Sequence, residues 1–198
     1  MSHRILAFVF VGCLAAGVSY AADQPLNMPL KWTPKESIGS MGPLDLSGAL
    51  LATKIRIDAF TDARADAASV AENREKSQPR PVTTSSDVPA FVADHMKEAM
   101  RGLGLSVVDG DGDVSLSADV RQFFVTETNT YHGDITLFVH LKNAAGKELW
   151  SGVVLGSAEH FGRSYKADNY DETFSDMVLH ATYNLLANPA FHEALAKR

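Results

Sequence analysis

Asp109-Gly110-Asp111-Gly112-Asp113 sets three carboxylates at alternate positions, the way a calcium loop opens when it gathers hard oxygen ligands. Such a loop also needs glycine at its sixth position and a bidentate carboxylate at its twelfth, and this chain has Val114 and Val120 there. Gly and Asp both tolerate positive φ, so the run reads as a tight turn between strands. The seven histidines, at 3, 95, 132, 140, 160, 180 and 192, form neither H-E-x-x-H nor H-x-H, whereas zinc needs three or four convergent ligands. His95 falls on the buried stripe of a helix and His140 alternates away from a core strand face. Arg101-Gly102-Leu103-Gly104-Leu105 reads as a helix stop, and no G-x-S-x-G, phosphate loop or G-x-G-x-x-G is present. The expectation is no catalytic residue, no metal and no cofactor.

The single cysteine, Cys13, lies inside a different kind of segment. Residues 1–22 carry a basic start at Arg4, an apolar or small run from Ile5 to Val18, and the triplet Ser19-Tyr20-Ala21, the pattern of an export signal. The run is shorter than the roughly 20 residues a membrane-spanning helix needs. Two processing routes overlap here. Cleavage after Ala21 removes residues 1–21. Alternatively, Phe10-Val11-Gly12-Cys13 resembles the bacterial lipobox, in which case residues 1–12 are removed and Cys13 becomes a lipid anchor. Phe10 in place of Leu and the apolar residues after Cys13 speak against the second route, and the short apolar run before Cys13 speaks for it. By lipoprotein habit, Leu14 rather than Asp after the cysteine favours the outer membrane. Either route leaves the fold without a free thiol or a disulfide.

Charge narrows the partners. Eighteen Lys and Arg against 24 Asp and Glu give a formal charge of −6, with no basic surplus to neutralise a phosphate backbone, so no nucleic acid is expected. With 45% hydrophobic residues in 198, the composition is that of a folded domain.

Residues 22–52 hold Pro25, Pro29, Pro34 and Pro43 with Gly39, Gly42 and Gly48, and read as a tether or surface strap. Residues 53–198 read as one domain. Ile55, Ile57 and Ala59 alternate with polar neighbours as in a half-buried strand, and the polar residues 61–86 read as a long loop. Val88, Phe91, Val92, His95, Met96, Ala99, Met100 and Leu103 then follow helical spacing, with Ser85, Ser86 or Asp87 as cap. Leu105 to Val108 restarts as a strand. Three alternating runs follow, at Val114–Val120, Ile135–Leu141 and Leu149–Ala158, the last two joined by a hairpin connection at 143–147. A second helix starts near Asn169, and Asn188-Pro189 caps a short last turn. The predicted class is α+β: a two-layer domain with a mixed, mostly antiparallel sheet in the order strand, helix, three-strand meander, helix, and both helices on one face.

If Ile135, Leu137, Val139 and Leu141 face the helices, Phe138 faces away, with Phe123, Trp150 and Val154 expected beside it. An apolar outer face of this kind is a candidate partner surface. The competing expectation is that the strap, through Leu30 and Trp32, folds back and covers it, and a one-residue register slip near Phe123-Phe124 would invert the assignment.

Lys54-Ile55-Arg56-Ile57 leading to Phe60-Thr61-Asp62-Ala63-Arg64, then Val82-Thr83-Thr84 before the helix and Leu185-Leu186-Ala187-Asn188-Pro189 at the end of the last long one, resemble the YajG-type bacterial envelope lipoproteins over residues 50–196. The resemblance implies an envelope address and a fold, and supplies no catalytic residues. The expected role is a non-enzymatic cell-envelope lipoprotein, an accessory component that binds an envelope protein and is held to the membrane if Cys13 carries lipid. The alternative is a periplasmic ligand carrier or enzyme, using the 61–86 loop and His132 or His160 near the strand ends.

Overall fold

The computed structural model describes residues 25–46 and 48–198, so Cys13 and the export segment lie outside the described residues. In chain order the elements are β1 (Leu26–Asn27), α1 (Ile38–Met41), α2 (Ala49–Ala52), β2 (Ile55–Ile57), β3 (Thr61–Asp62), β4 (Ser69–Asn73), β5 (Arg80–Thr83), α3 (Val88–Gly102), β6 (Val107–Val108), β7 (Val114–Glu127), β8 (Thr130–Asn143), β9 (Glu148–Phe161), α4 (Ala167–Leu186) and α5 (Pro189–Ala196).

The meander β7-β8-β9 is the frame, three antiparallel strands of 14 residues each. Strict alternation puts Val114, Leu116, Ala118 and Val120 of β7 on the same face as Ile135, Leu137, Val139 and Leu141 of β8, all buried. β7 is the central strand. One of its edges pairs with β8, and the other receives β2, β3 and β4 in succession, all parallel to it. β5 turns back antiparallel to β4, β1 adds parallel to β5, and β6 adds parallel to β2. The sheet is therefore mixed, as predicted.

Residues 61–86 are not a long loop. They contain β3, β4 and β5, because the free edge of β7 offers backbone partners that composition does not reveal. Only Val70, Ala71 and Val82 of this stretch are buried apolar side chains, which is too few for a visible period.

α3 and α4 cover one face of the sheet. Asp87 caps α3 by accepting from the Ala90 amide at 2.9 Å, and Val88, Val92, Met96 and Met100 form its buried stripe. Each such side chain contributes about 2 kcal/mol on removal from water. α4 lies closest to β9 at Gly156, where a Cβ would stand 2.2 Å from the Met177 carbonyl and 2.6 Å from the Ala181 amide. Glycine is required there to let the helix backbone rest on the strand. Asn188 caps α5 through the Ala190 amide, and Phe191 and Leu195 close the core. The Asp109–Asp113 turn presses on β2: Asp113 accepts from the Lys54 amide at 2.9 Å.

Candidate functional site

The outer face of the meander differs from the sequence expectation at three of four positions. Phe123 and Val154 are core residues and Trp150 sits on the helix side. A bulge explains the first. The β7–β8 register shifts between Val120 and Gln122, so Arg121 is an extra residue and the alternation reverses after it. Phe123 then stands opposite Ile135 and stacks on Phe174 at 4.9 Å. Val154 stands opposite Leu137, and Trp150 opposite Leu141 with its ring on Phe191, because β9 follows the parity of β8.

Phe138 does face outward, half-buried between Asp119 and Val153, with the Arg121 guanidinium 4.2 Å from its ring centroid and His140 edge-on. The side chains that complete this face were missed: Val153 is 52% and Leu155 57% exposed. Their signal was the unbroken Val153-Val154-Leu155 run, in which one member must face away from the core whichever parity holds. Among the described residues β9 pairs only with β8, and its other edge carries Asn184, whose side-chain amide donates to the Leu155 carbonyl at 2.8 Å.

The strap does not cover this face. It crosses the helices on the opposite side of the sheet, held by alternate backbone amides donating to side chains of α4: Lys31 to Asp171 Oδ1 at 3.0 Å, Thr33 to Ser175 Oγ at 2.9 Å, and Lys35 to Asp176 Oδ1 at 2.9 Å. An extended segment presents every second amide to one side, and Asp171 and Ser175, one helical turn apart, meet the first two of these amides while the neighbouring Asp176 meets the third. Trp32 lies flat on His95 of α3, ring centroids 4.1 Å apart, with Phe91 edge-on. His95 is thus a platform for the strap, not a core histidine. Burial pushes the Asp171 carboxyl up to about 6, against the Lys31 amide bond and charge that favour its ionised form.

The two histidines considered for chemistry are far apart in role. His132 is exposed on the outer face, 3.3 Å from Asp134 Oδ2 and 3.8 Å from Glu159 Oε2. His160 Nε2 lies 2.8 Å from buried Asp176 Oδ2 without an aligned hydrogen bond. The other oxygen of that carboxylate accepts from the Lys35 and Glu36 amides, and Glu36 meets His180 Nε2 at 2.8 Å, so the group ties strap to helix. Among the described residues, no group of three or more His, Cys, Asp or Glu could hold a metal ion, and no helix is long and apolar enough to cross a membrane.

A second buried carboxylate organises the far end of the sheet. Glu127, fully buried at the end of β7, accepts from the amides of Ser164 and Tyr165 and from the hydroxyl of Tyr170. Burial alone would raise its pKa, but the hydrogen bonds from Tyr170, Asn73, Tyr165 and Tyr131 outweigh burial and hold it below the ordinary range. The Tyr170 hydroxyl is pushed upward by its own burial and then by the carboxylate it serves.

Comparison with known proteins places this geometry. The solved structure of protein XCC0632 from Xanthomonas campestris is similar, with TM-score 0.51, 13% identity, and 82% of this chain and 90% of that chain covered. The PelC dodecamer from Paraburkholderia phytofirmans is similar at TM-score 0.42 and 11% identity, over 68% of this chain and 88% of that one. No curated protein matches. The family described as uncharacterized lipoprotein, Lipoprotein_16, matches residues 54–195, which spans β2 to α5. With that match over most of its length, the chain belongs to this YajG-type lipoprotein family, and its address is the cell envelope.

Proposed function

We propose that the chain is a non-enzymatic accessory component of a periplasmic or outer-membrane assembly, which binds an envelope protein through the outer face and open edge of β9. The observation that carries this reading is the pair Val153 and Leu155, more than half exposed beside Phe138 on an edge strand. Large apolar side chains gathered on one open face mark a binding surface, and an open edge offers backbone groups to an added strand. The fitting partner segment is extended and carries apolar side chains at alternate positions. β9 bears no Lys, Arg or Pro along its length, the residues that commonly blunt an edge against pairing. The ionisable clusters support this assignment from the other side: Asp171, Asp176 and Glu36 serve the strap, and Glu127 serves a loop.

A photo-reactive residue placed at Leu155 tests it in intact cells. The expected result is one discrete adduct with an envelope protein, lost in Val153→Asp and absent when the probe replaces Lys147. An adduct pattern at Leu155 no different from that at Lys147 would remove the binding face, and turnover of a small molecule by the purified chain would remove the non-enzymatic reading.

A further inference from the structure

We infer that the end of the sheet where β7 closes and β9 stops is the membrane-facing end of the domain, and that it docks on the anionic headgroups of a bilayer. Two turns meet there. The loop Phe161–Lys166 carries Arg163 and Lys166, both exposed, and the β4–β5 turn, 74–80, carries Arg74, Lys76 and Arg80. Glu75 is the one acidic residue in the two segments; Arg74 pairs with Glu72 and Arg80 bonds Asn73, so the exposed Arg163 and Lys166 of the loop are the cations that would meet headgroups. The turns are joined: the Arg80 guanidinium lies 4.0 Å over the Tyr165 ring, and the Tyr165 hydroxyl donates to the Pro81 carbonyl at 2.8 Å.

The loop has a built shape. Tyr165 holds φ +47, a left-handed conformation unfavourable for a tyrosine, and buried Glu127 fixes it by accepting from the Ser164 and Tyr165 amides. What that shape presents is Phe161, 89% exposed and the most exposed large apolar side chain among the described residues. An aromatic ring beside several cations is the combination that suits the boundary between headgroups and acyl chains.

The path of the chain points the same way. β1 runs parallel to β5, so its leading side, at Pro25, lies where β5 begins, beside Arg80 and Tyr165. The Leu26 amide donates to the Tyr165 hydroxyl at 3.0 Å. Twelve positions separate Cys13 from Pro25, a reach of no more than about 40 Å. A chain anchored at Cys13 therefore enters the fold at this end of the sheet. The reading of Cys13 as the anchor fits this docking surface, which stands on the charge and shape of this end of the sheet.

The test uses the mature chain purified from cells that process it, bound to vesicles of phosphatidylethanolamine and phosphatidylglycerol that carry nitroxide on their headgroups. A fluorophore sits at Phe161→Cys or, at the opposite end, at Lys147→Cys; neither processing route leaves another free thiol. Quenching severalfold stronger at 161 than at 147 is expected. It should fall at least about threefold in high salt and in the Arg163→Glu/Lys166→Glu background, where exposed charges leave the melting temperature unchanged. Equal quenching at the two positions, indifference to charge reversal, or a crosslink from position 161 to a protein in place of lipid contact overturns the inference. The mass of the mature N-terminus is read separately and judges the anchor alone. If the chain begins at Ala22, selective flotation on the acidic vesicles over phosphatidylcholine still supports the docking surface, and failure to float overturns it.

Discussion

Glu127 Oε1 accepts from the Tyr165 amide at 2.9 Å, so a carboxylate at the end of the central strand holds the loop that leads into α4. Because hydrogen bonds depress its pKa below the unfolded value of about 4.3, the stabilisation it supplies is complete above that value and is lost as pH falls through the folded one. Glu127→Gln is expected to cost about 2 to 3 kcal/mol at pH 7, since it removes an ionised acceptor from a buried network. It should also flatten the acid limb of the stability profile. Urea unfolding from pH 7 to pH 3 measures both, and parallel profiles for the two proteins would exclude the role.

Gly156 carries a close approach of helix backbone to sheet. Gly156→Ala sets a methyl group against the backbone of Met177 and Ala181, which must move, and the expected loss is about 3 kcal/mol or more. Gly110→Ala, where nothing lies within 4 Å of the added atom, serves as the comparison and should change stability by less than about 1 kcal/mol. Thermal melts of the two variants separate a packing requirement from a general intolerance of alanine for glycine.

Asp171 works in the opposite sense to Glu127. Its folded pKa is about 6 against an ordinary 3.8, so the folded state holds the proton more tightly and stability declines as pH rises from about 3.8 to about 6, then levels off. The whole effect amounts to no more than about 3 kcal/mol. Asp171→Asn keeps an acceptor for the Lys31 amide and removes the buried charge; it is expected to abolish the decline and to match or exceed the parent at pH 8. A wild-type contribution at this site that stays flat between pH 4 and pH 6.5, read as the difference from Asp171→Asn, would contradict the assignment.

Trp32 fastens the strap to α3 by stacking on His95. Trp32→Ala should cost about 1 to 2 kcal/mol globally. The larger effect is local: limited proteolysis is expected to cut within residues 30–46 several times faster while the meander stays protected. Uniform acceleration along the chain would mean that the strap is not a separately opening unit.

The α+β class, the three-strand meander, both long helices, the caps of α3 at Asp87 and of the short α5 at Asn188, and the family resemblance were all legible in the chain itself. Those features are local: alternation needs only neighbours two apart, helical spacing only neighbours three and four apart, and a cap only its own turn. Three features were decided by tertiary structure. Residues 61–86 became strands because β7 had an unpaired edge for them. One extra residue, Arg121, turned Phe123 inward, and the β8–β9 register put Val154 inside and left Val153 and Leu155 outside. The strap went to α4 because buried acceptors at 171, 175 and 176 take up its alternate amides. The first and third depend on hydrogen-bond partners more than 50 positions away and the second on the register chosen across two hairpins, and no local period encodes where a donor will find its acceptor.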